Sequence, residues 1–481
     1  MTMRSRDAVQ IDSPCHLRGI KFTSKIVIAC AGWLAVSNPV SAQDVVTGAH
    51  TNFHPLTRDE IADDLHRSVT ATGLPPQPYM RELPWVFPPG TPAFFRDSML
   101  QVVARSYYLT SDNFDGSRSR AWAAGGWLAY RSGLIGDVLG VHTAFYTSQR
   151  LYGPPDESGT LLLNPEQQPL NMLGQAYARV KVLDQEFRGG RQLVDTPLIN
   201  PQDNRMVPGT FTAAVLTTLP DSARSYDYSV GYIWNFKSQD SNDFISMSDT
   251  LASGDVVNRG ATFGMVKYRP FPGLSTVFMD YYVEGFVNTG FAQAEYDFQL
   301  PKDVPQWTVG VNYIDQRSVG ANLLTGSYFQ TYQASAKAQM SYQGWIVFAA
   351  GSIFGNSTMY SPFGGKPNYT DMQQISFDNP GEKAVGAGVV YNFTPAFGRV
   401  GLAGLTAGAW YAHGWGAYDP TTGLGIPNRD ELDLWLQYRP SEGLLKGFRL
   451  RVQYANVWQQ GNLRDPQPEL RLIVGYTVFF R

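Results

Sequence analysis

Basic side chains alternate with apolar ones in the segment Phe448–Tyr454. In an extended strand Arg449, Arg451 and Gln453 share one face, while the residues between them share the other. A guanidinium group presents two parallel N–H donors that match the two oxygens of a carboxylate. A row of arginines along one strand face is therefore suited to holding anions.

The same alternation recurs in other segments, where Arg105, Arg179 with Lys181, and Arg471 each stand opposite an apolar face. Periodicity alone does not say which face meets solvent. In a soluble sandwich the apolar faces look inward, whereas in a membrane barrel they meet lipid and the arginines line a watery lumen. Whether these basic groups can act together depends on that choice.

Catalytic and metal chemistry find little support in the sequence. From residue 93 onward the only histidines are His142 and His413, and no G-x-S-x-G elbow is present, so no enzyme is expected. His50 and His54 have the spacing of a metal-binding pair, but no cysteine or ordered scaffold accompanies them. We expect no metal and no other cofactor.

The first 42 residues have the pattern of a secretory signal peptide: five basic residues, an apolar core and a small-residue exit, with cleavage expected after Ala42. A buried core helix is the alternative. The apolar core, Ile26–Val36, is 11 residues long, short of the roughly 20 that a spanning helix needs. The sequence therefore excludes a helical membrane protein and predicts export.

Removing this leader changes the composition of the chain. Cys15 and Cys30 both lie within it, so the mature chain is expected to form no disulfide. The leader holds five Lys/Arg and two Asp/Glu, and the formal net charge of −3 becomes −6 without it. An acidic chain gives no sign of a nucleic-acid partner.

Residues 43–92 form a proline-rich extension that differs from the rest of the chain. The sequence Thr57-Arg-Asp-Glu60 is a capping box, which predicts a short helix to about Arg67. The prolines between 74 and 91 predict an extended chain. A solvated periplasmic tail is the simplest interpretation, and a docking or plug segment is the alternative.

From Ala93 to the end, segments of about ten residues alternate in polarity and are separated by Gly, Pro, Asn, Asp and Ser. Aromatic pairs near segment ends favour a membrane barrel with interfacial girdles. These pairs are Tyr107-Tyr108, Tyr281-Tyr282, Trp410-Tyr411 and Phe479-Phe480. At roughly 20–24 residues per strand with its connection, residues 93–481 predict 16 to 18 strands around an aqueous channel.

Several stretches resemble one family, the OprD-type outer-membrane channels for carboxylate-bearing substrates. They are AFFRDSML at 93–100 with RSYY at 105–108, TPLINPQDNRMVPGTF at 196–211, FDNPGEK at 377–383 with VGLAGLT at 400–406, EGLLKGFRLR at 442–451 within 431–454, and ELR at 469–471. The matches follow one order over nearly the whole mature chain.

The resemblance implies an all-β fold, a transmembrane antiparallel β-barrel of 18 strands in the bacterial outer membrane, narrowed by inward loops. It also implies a ladder of basic side chains that guides carboxylates. Motif position makes Arg105, Arg449, Arg451 and Arg471 candidates for this ladder, and strand parity adds Arg179 and Lys181. Arg205 lies inside the internal motif and is expected near the constriction.

The expected function is passive uptake of small anionic or zwitterionic solutes. A sugar-selective or general diffusion porin is the alternative within transport, and a structural or adhesin barrel is an alternative outside it. Expected partners are outer-membrane lipid, lipopolysaccharide and the barrel-assembly machinery through the C-terminal strand. The expected oligomeric state is a monomer or a loose trimer.

Overall fold

The computed structural model describes residues 81–219, 224–251, 257–398 and 402–481. The predicted leader, its cleavage after Ala42 and the helix predicted from Thr57 to Arg67 lie outside the described residues. Of the proline-rich extension, residues 81–92 are described. They comprise one three-residue strand and an irregular segment.

The described residues form a sheet of twenty strands. The strands are β1 (Arg81–Leu83), β2 (Met99–Asp112), β3 (Arg118–Arg131), β4 (Leu139–Tyr152), β5 (Leu170–Val182), β6 (Gln185–Gln192), β7 (Thr210–Thr218), β8 (Tyr226–Lys237), β9 (Ile245–Ser246), β10 (Ala261–Tyr268), β11 (Leu274–Val283), β12 (Val287–Asp297), β13 (Gln306–Ser318), β14 (Gln330–Tyr342), β15 (Trp345–Phe354), β16 (Lys383–Asn392), β17 (Leu405–Trp415), β18 (Arg429–Tyr438), β19 (Phe448–Gln459) and β20 (Gln467–Phe480).

Within the described chain, eighteen of these strands close into an antiparallel barrel. Strands β2 to β8 and β10 to β20 pair in chain order, with β8 bonded directly to β10. The barrel closes where β2 pairs with β20, for example Arg105 with Gly475. The predicted strand number and topology are confirmed.

Side-chain exposure decides which face meets lipid. On β19, Leu450 is 37 % exposed and Tyr454 is 39 % exposed, whereas Arg449 and Arg451 are 7 % and 6 % exposed. Apolar side chains thus cover the outside and the polar face is enclosed, the reverse of a soluble protein. A membrane barrel has this arrangement because its outer surface is solvated by lipid.

Each aromatic pair named above divides between the two faces. Tyr282 and Tyr411 are exposed on the outer wall, whereas their neighbours Tyr281 and Trp410 are buried on the inner face. Consecutive residues of a strand point to opposite sides, so only one member of a pair can belong to a girdle.

The connections differ in length between the two ends of the barrel. At one end a two-residue turn joins β14 to β15, with positive φ at both Gln343 and Gly344 (48° and 89°), as a tight hairpin requires. At the other end the connections include 153–169, 193–209 and 355–382. Outer-membrane barrels place short turns at the periplasm and long loops outside, which orients this chain.

The chain enters the barrel through α1 (Ala93–Arg96), so the first residues of the motif predicted to begin the first strand are helical instead. Pro92 precedes this helix with φ at −55°, a value that proline imposes and that helix starts accept. A second short helix, α2 (Thr394–Phe397), joins β16 to β17. No helix in the described part of the chain is long and apolar enough to cross a membrane.

A pair of variants tests the assignment of the two faces. Val311 is 55 % exposed on the outer wall, and it pairs with Ala294, the neighbour of the inward Gln293. We expect Val311→Arg to destabilise the barrel by about 2–4 kcal/mol, the cost of a lipid-facing cation near mid-membrane. Gln293→Arg, at the same depth on the inner face, should cost less. Denaturant unfolding in lipid vesicles measures the difference, and equal losses would contradict the assignment.

Candidate functional site

Three long loops fold into the lumen, and we call them loop A (153–169), loop B (193–209) and loop C (355–382). Leu162 of loop A, Ile199 of loop B and Phe363 of loop C are all fully buried. Ile199 and Phe363 share one apolar cluster with inner-face residues of β7, β8 and β10 to β12. The loops therefore narrow the channel.

Loop B is tied to the closing strand by a buried ion pair. The Nη1 atom of Arg105 on β2 lies 3.0 Å from Oδ1 of Asp203, with the two side chains 3 % and 0 % exposed. Arg105 also donates to the carbonyls of Arg205 and Met206. Its guanidinium lies 4.7 Å above the ring of Trp127. Arg105 thus anchors a loop as well as lining the wall.

Loops B and C are bonded to each other. The Asn200 amide donates to the carbonyl of Gly365 over 2.8 Å and accepts from its N–H over 3.1 Å, while the Asn200 N–H donates to Phe363. Gly364 between them has φ of 124°, and a Cβ there would lie 2.5 Å from the Asn200 carbonyl. Only glycine fits this close approach.

Two carboxylates on β18 hold the middle of loop C. Glu431 accepts the backbone N–H groups of Gln374 and Ile375 at 2.7 and 2.9 Å, and Asp433 accepts that of Gln373 at 3.0 Å. Both carboxylates are fully buried on the inner face. A carboxylate accepting backbone N–H groups makes a strong, charge-assisted bond, so this stretch of loop C is fixed against the wall.

The last strand reinforces the same stretch. Arg471 pairs with Glu469 and donates to the Gln373 carbonyl over 2.9 Å. The Gln373 side chain in turn donates to Glu469 over 2.9 Å. Farther back in loop C, the Tyr369 hydroxyl donates to Glu295 over 3.0 Å. Loop C therefore spans the lumen from β12 to the β18–β20 wall.

Three of the predicted ladder residues stand one above the other. Arg471 pairs in register with Gln453, so Arg471, Arg451 and Arg449 occupy successive inward positions two residues apart, about 7 Å per step. The lowest step lies opposite Gly475, which also pairs with Arg105 of β2. Arg105 and Arg449 therefore flank a residue without a side chain.

Arg179 and Lys181 belong to a different wall. Arg179 on β5 lies 3.4 Å from Glu186 and donates to the Ser132 carbonyl over 2.8 Å. It pairs in register with Arg188 on β6, and Lys181 pairs with Glu186. These residues form a second basic group, near the periplasmic ends of β5 and β6.

Arg205 lies in loop B between the loops and the ladder wall. Its Nε donates to the Thr160 carbonyl of loop A over 3.0 Å. Burial, with Arg471 nearby, lowers the pKa of Arg205, although a guanidinium stays protonated in proteins. Arg205 thus lies among the inward loops, and its role at a constriction stays a prediction.

The family model for outer membrane porins of the OprD family matches residues 92–480. This chain belongs to the OprD family. It is similar in structure to Pseudomonas aeruginosa OccK9 (OpdG), with a TM-score of 0.72 and 21 % identity, over 81 % of this chain and 100 % of that one.

Two further solved structures show the same likeness. Acinetobacter baumannii OccAB2 matches with a TM-score of 0.71 and 20 % identity, over 81 % of this chain and 100 % of that one. P. aeruginosa OpdK with vanillate matches with a TM-score of 0.70 and 20 % identity, over 80 % and 100 %. No curated protein sequence matches the chain.

Membership of the OprD family establishes the broad role and place of the protein. Its members are passive channels of the bacterial outer membrane that admit small solutes. In the described residues no group of three or more His, Cys, Asp or Glu is placed to hold a metal.

Several inward polar residues of this OprD-family lumen were not predicted from the sequence. Glu431 and Asp433 alternate with Leu432 and Leu434, so strand parity could have placed both carboxylates inside. Arg188 offered no such signal because glycines follow it. Asp203 lies in a loop, where sequence carries no periodicity.

We expect Asp203→Asn to loosen loop B, because Arg105 would lose its buried partner. Single-channel recordings should show larger or noisier currents. Asp97→Asn removes an exposed ion pair with Arg96 and should leave the currents unchanged. If both variants behave like the parent, the ion pair does not position the loop.

The double variant Glu431→Gln with Asp433→Asn should release the middle of loop C, because each amide replaces one acceptor oxygen by a donor. Higher conductance and faster protease cleavage within loop C are expected. Asp430→Asn is the matched control, because Asp430 lies on the outer face of the same strand as Glu431 and Asp433, where it bonds to His413 of β17. A control that opened the channel equally would argue against the tether.

Proposed function

We propose that this OprD-family barrel is a substrate-selective channel for passive uptake of small carboxylate-bearing solutes, namely amino acids and organic or aromatic acids. The observation that carries the proposal is the column of Arg471, Arg451 and Arg449, joined at its lower end by Arg105. Four guanidinium groups lie on three adjacent strands of the narrowed lumen, and two of them, Arg105 and Arg471, are also held by Asp203 and Glu469.

A narrow, partly dehydrated channel favours this use of arginine. An anion that sheds water to pass the loops regains electrostatic stabilisation from a guanidinium, which is a strong partner in a low-dielectric space. Steps of about 7 Å allow a carboxylate to contact the next arginine as it leaves the previous one. Several moderate sites in series permit passage, whereas one tight site would retain the solute.

The remaining candidates extend the path at both ends. Arg205 stands among the loops, where its burial increases the gain from a nearby anion. Arg179 and Lys181 stand near the periplasmic exit, where Arg179 lies 3.4 Å from Glu186 and Lys181 is the register partner of Glu186. We propose that a solute passes Arg205 first, then the arginine column, and leaves past this second basic group.

A relative supports the choice of ligand class. The P. aeruginosa OpdK structure contains vanillate, which is an aromatic carboxylate. On the inner face of this chain, the stacked rings of Phe348 and Trp410 lie 4.0 Å apart and Trp410 is 1 % exposed. These rings pack against each other rather than forming an aromatic slide for sugars.

The surroundings of the barrel follow from the same assignment. We propose that the outer apolar wall contacts outer-membrane lipid and lipopolysaccharide. The C-terminal strand would engage the barrel-assembly machinery, and the barrel would act as a monomer or a loose trimer. We propose no catalytic activity for the chain.

The double variant Arg449→Gln with Arg451→Gln tests the proposal. In planar bilayers the anion-over-cation permeability ratio should fall about tenfold, equivalent to roughly 1.4 kcal/mol of lost charge interaction. Arg317→Gln, an exposed site on the outer wall, should leave the ratio unchanged. Unchanged selectivity in the double variant would remove the arginine column from the mechanism.

Liposome swelling then identifies the solute class. Proteoliposomes should swell faster in aromatic or organic acids and amino acids than in sugars of equal size. Faster entry of sugars would replace the carboxylate proposal by a sugar channel, and equal entry of all solutes would indicate a general diffusion porin.

A further inference from the structure

The last barrel strand, β20, has an additional neighbour, the short strand β1, which is not one of the eighteen barrel strands. Strand β1 pairs in parallel with the end of β20, with Arg81 beside Val478 and Leu83 beside Phe480. Two backbone bonds extend the contact to the C-terminus: Arg481 donates to Leu83 over 3.2 Å, and Trp85 donates to Arg481 over 3.1 Å.

The position that β1 occupies is created by a difference in strand length. Strand β19 begins at Phe448, which pairs with Tyr476, so β20 continues past the start of β19. Gly447, with φ of 98°, turns the chain away; a Cβ there would lie 2.5 Å from the Thr477 carbonyl and 3.1 Å from Cβ of Arg81. The overhanging edge of β20 is thereby left open for another strand.

Side chains fasten β1 to both sides of the barrel seam. Arg81 donates to the Leu444 carbonyl over 2.8 Å in the β18–β19 connection, and Glu82 lies 3.1 Å from Arg481. Across the seam, the Trp85 ring meets the edge of Tyr130 on β3 at 6.5 Å. The segment therefore crosses from the last strands to the first ones.

This segment lies upstream of the shared fold. The family match begins at residue 92, and the solved relatives are covered in full by about four-fifths of this chain. Parallel pairing is also foreign to the barrel, in which every neighbouring pair among the described strands is antiparallel. Strand β1 is thus an addition to the OprD-type barrel.

We propose that residues 81–87 form a latch that covers the open edge of the C-terminal strand and holds the barrel seam closed. An exposed strand edge offers unpaired backbone groups to any other extended chain, and β1 satisfies them from within the same molecule. Because Trp85 bonds to Arg481 and contacts Tyr130 on β3, separation of β20 from β2 at its C-terminal end must break one of these two contacts. The latch therefore slows opening of the barrel and leaves ion selectivity untouched.

Two proline variants test the latch in the full-length protein. Trp85→Pro removes the N–H that bonds Arg481 and the ring that meets Tyr130, whereas Val86→Pro changes a residue that is 84 % exposed. We expect the temperature at which the folded, fast-migrating form is lost in detergent gels to fall by about 5 °C in Trp85→Pro relative to Val86→Pro. The permeability ratio should be equal in both. Equal transition temperatures would overturn the latch.

A disulfide test does not depend on stability. The chain has no cysteine beyond residue 42, so the barrel itself offers introduced cysteines no competitors. Arg81→Cys with Val478→Cys should form a disulfide in isolated outer membranes, because the two positions are register partners. Arg81→Cys with Thr477→Cys should not, because Thr477 points to the opposite face of β20. Absence of the first disulfide, or equal yields of both, would contradict the docking of β1.

Discussion

The whole molecule depends on one constraint: inside a membrane, a backbone N–H or C=O group must bond to another strand, because lipid offers no partner. Closure of β20 against β2 meets that requirement around the entire wall. Once the wall is closed, the two-residue period of the strand sorts every side chain to lipid or to lumen. The position of each arginine on the barrel wall is a consequence of that sorting.

The interior raises a different problem. Charged groups that lie close together in a narrow space need an opposite charge or a hydrogen-bond partner. The loops provide such partners. Asp203 on loop B meets Arg105, and the backbone of loop C meets Glu431 and Asp433. The groups that shape the opening are therefore also the partners that make a charged lumen stable.

The sequence alone could predict the features that depend on the two-residue repeat of a β-strand. Arg449 and Leu450 are adjacent and differ in polarity, so their opposite faces follow directly, and the strand number follows from length. It could not predict the bond between Arg105 and Asp203, which lie 98 positions apart and have no local pattern in common. The short strand β1 was not predicted either, because three residues in a proline-rich stretch are too few to show alternation.

The long sequence separations of the loop tethers fix an order of events during biogenesis. Loop C is held by Arg471 of the last strand, and loop B by Arg105 of the first barrel strand. Contacts between distant segments form after the chain between them has been organised. The loop B tether therefore needs only the chain between Arg105 and Asp203, whereas the tether of loop C to Arg471 must wait until the final strand is in place. The narrowing of the lumen is consequently complete only after the last strand has joined the barrel, so the final contacts of loop C belong to the end of its maturation.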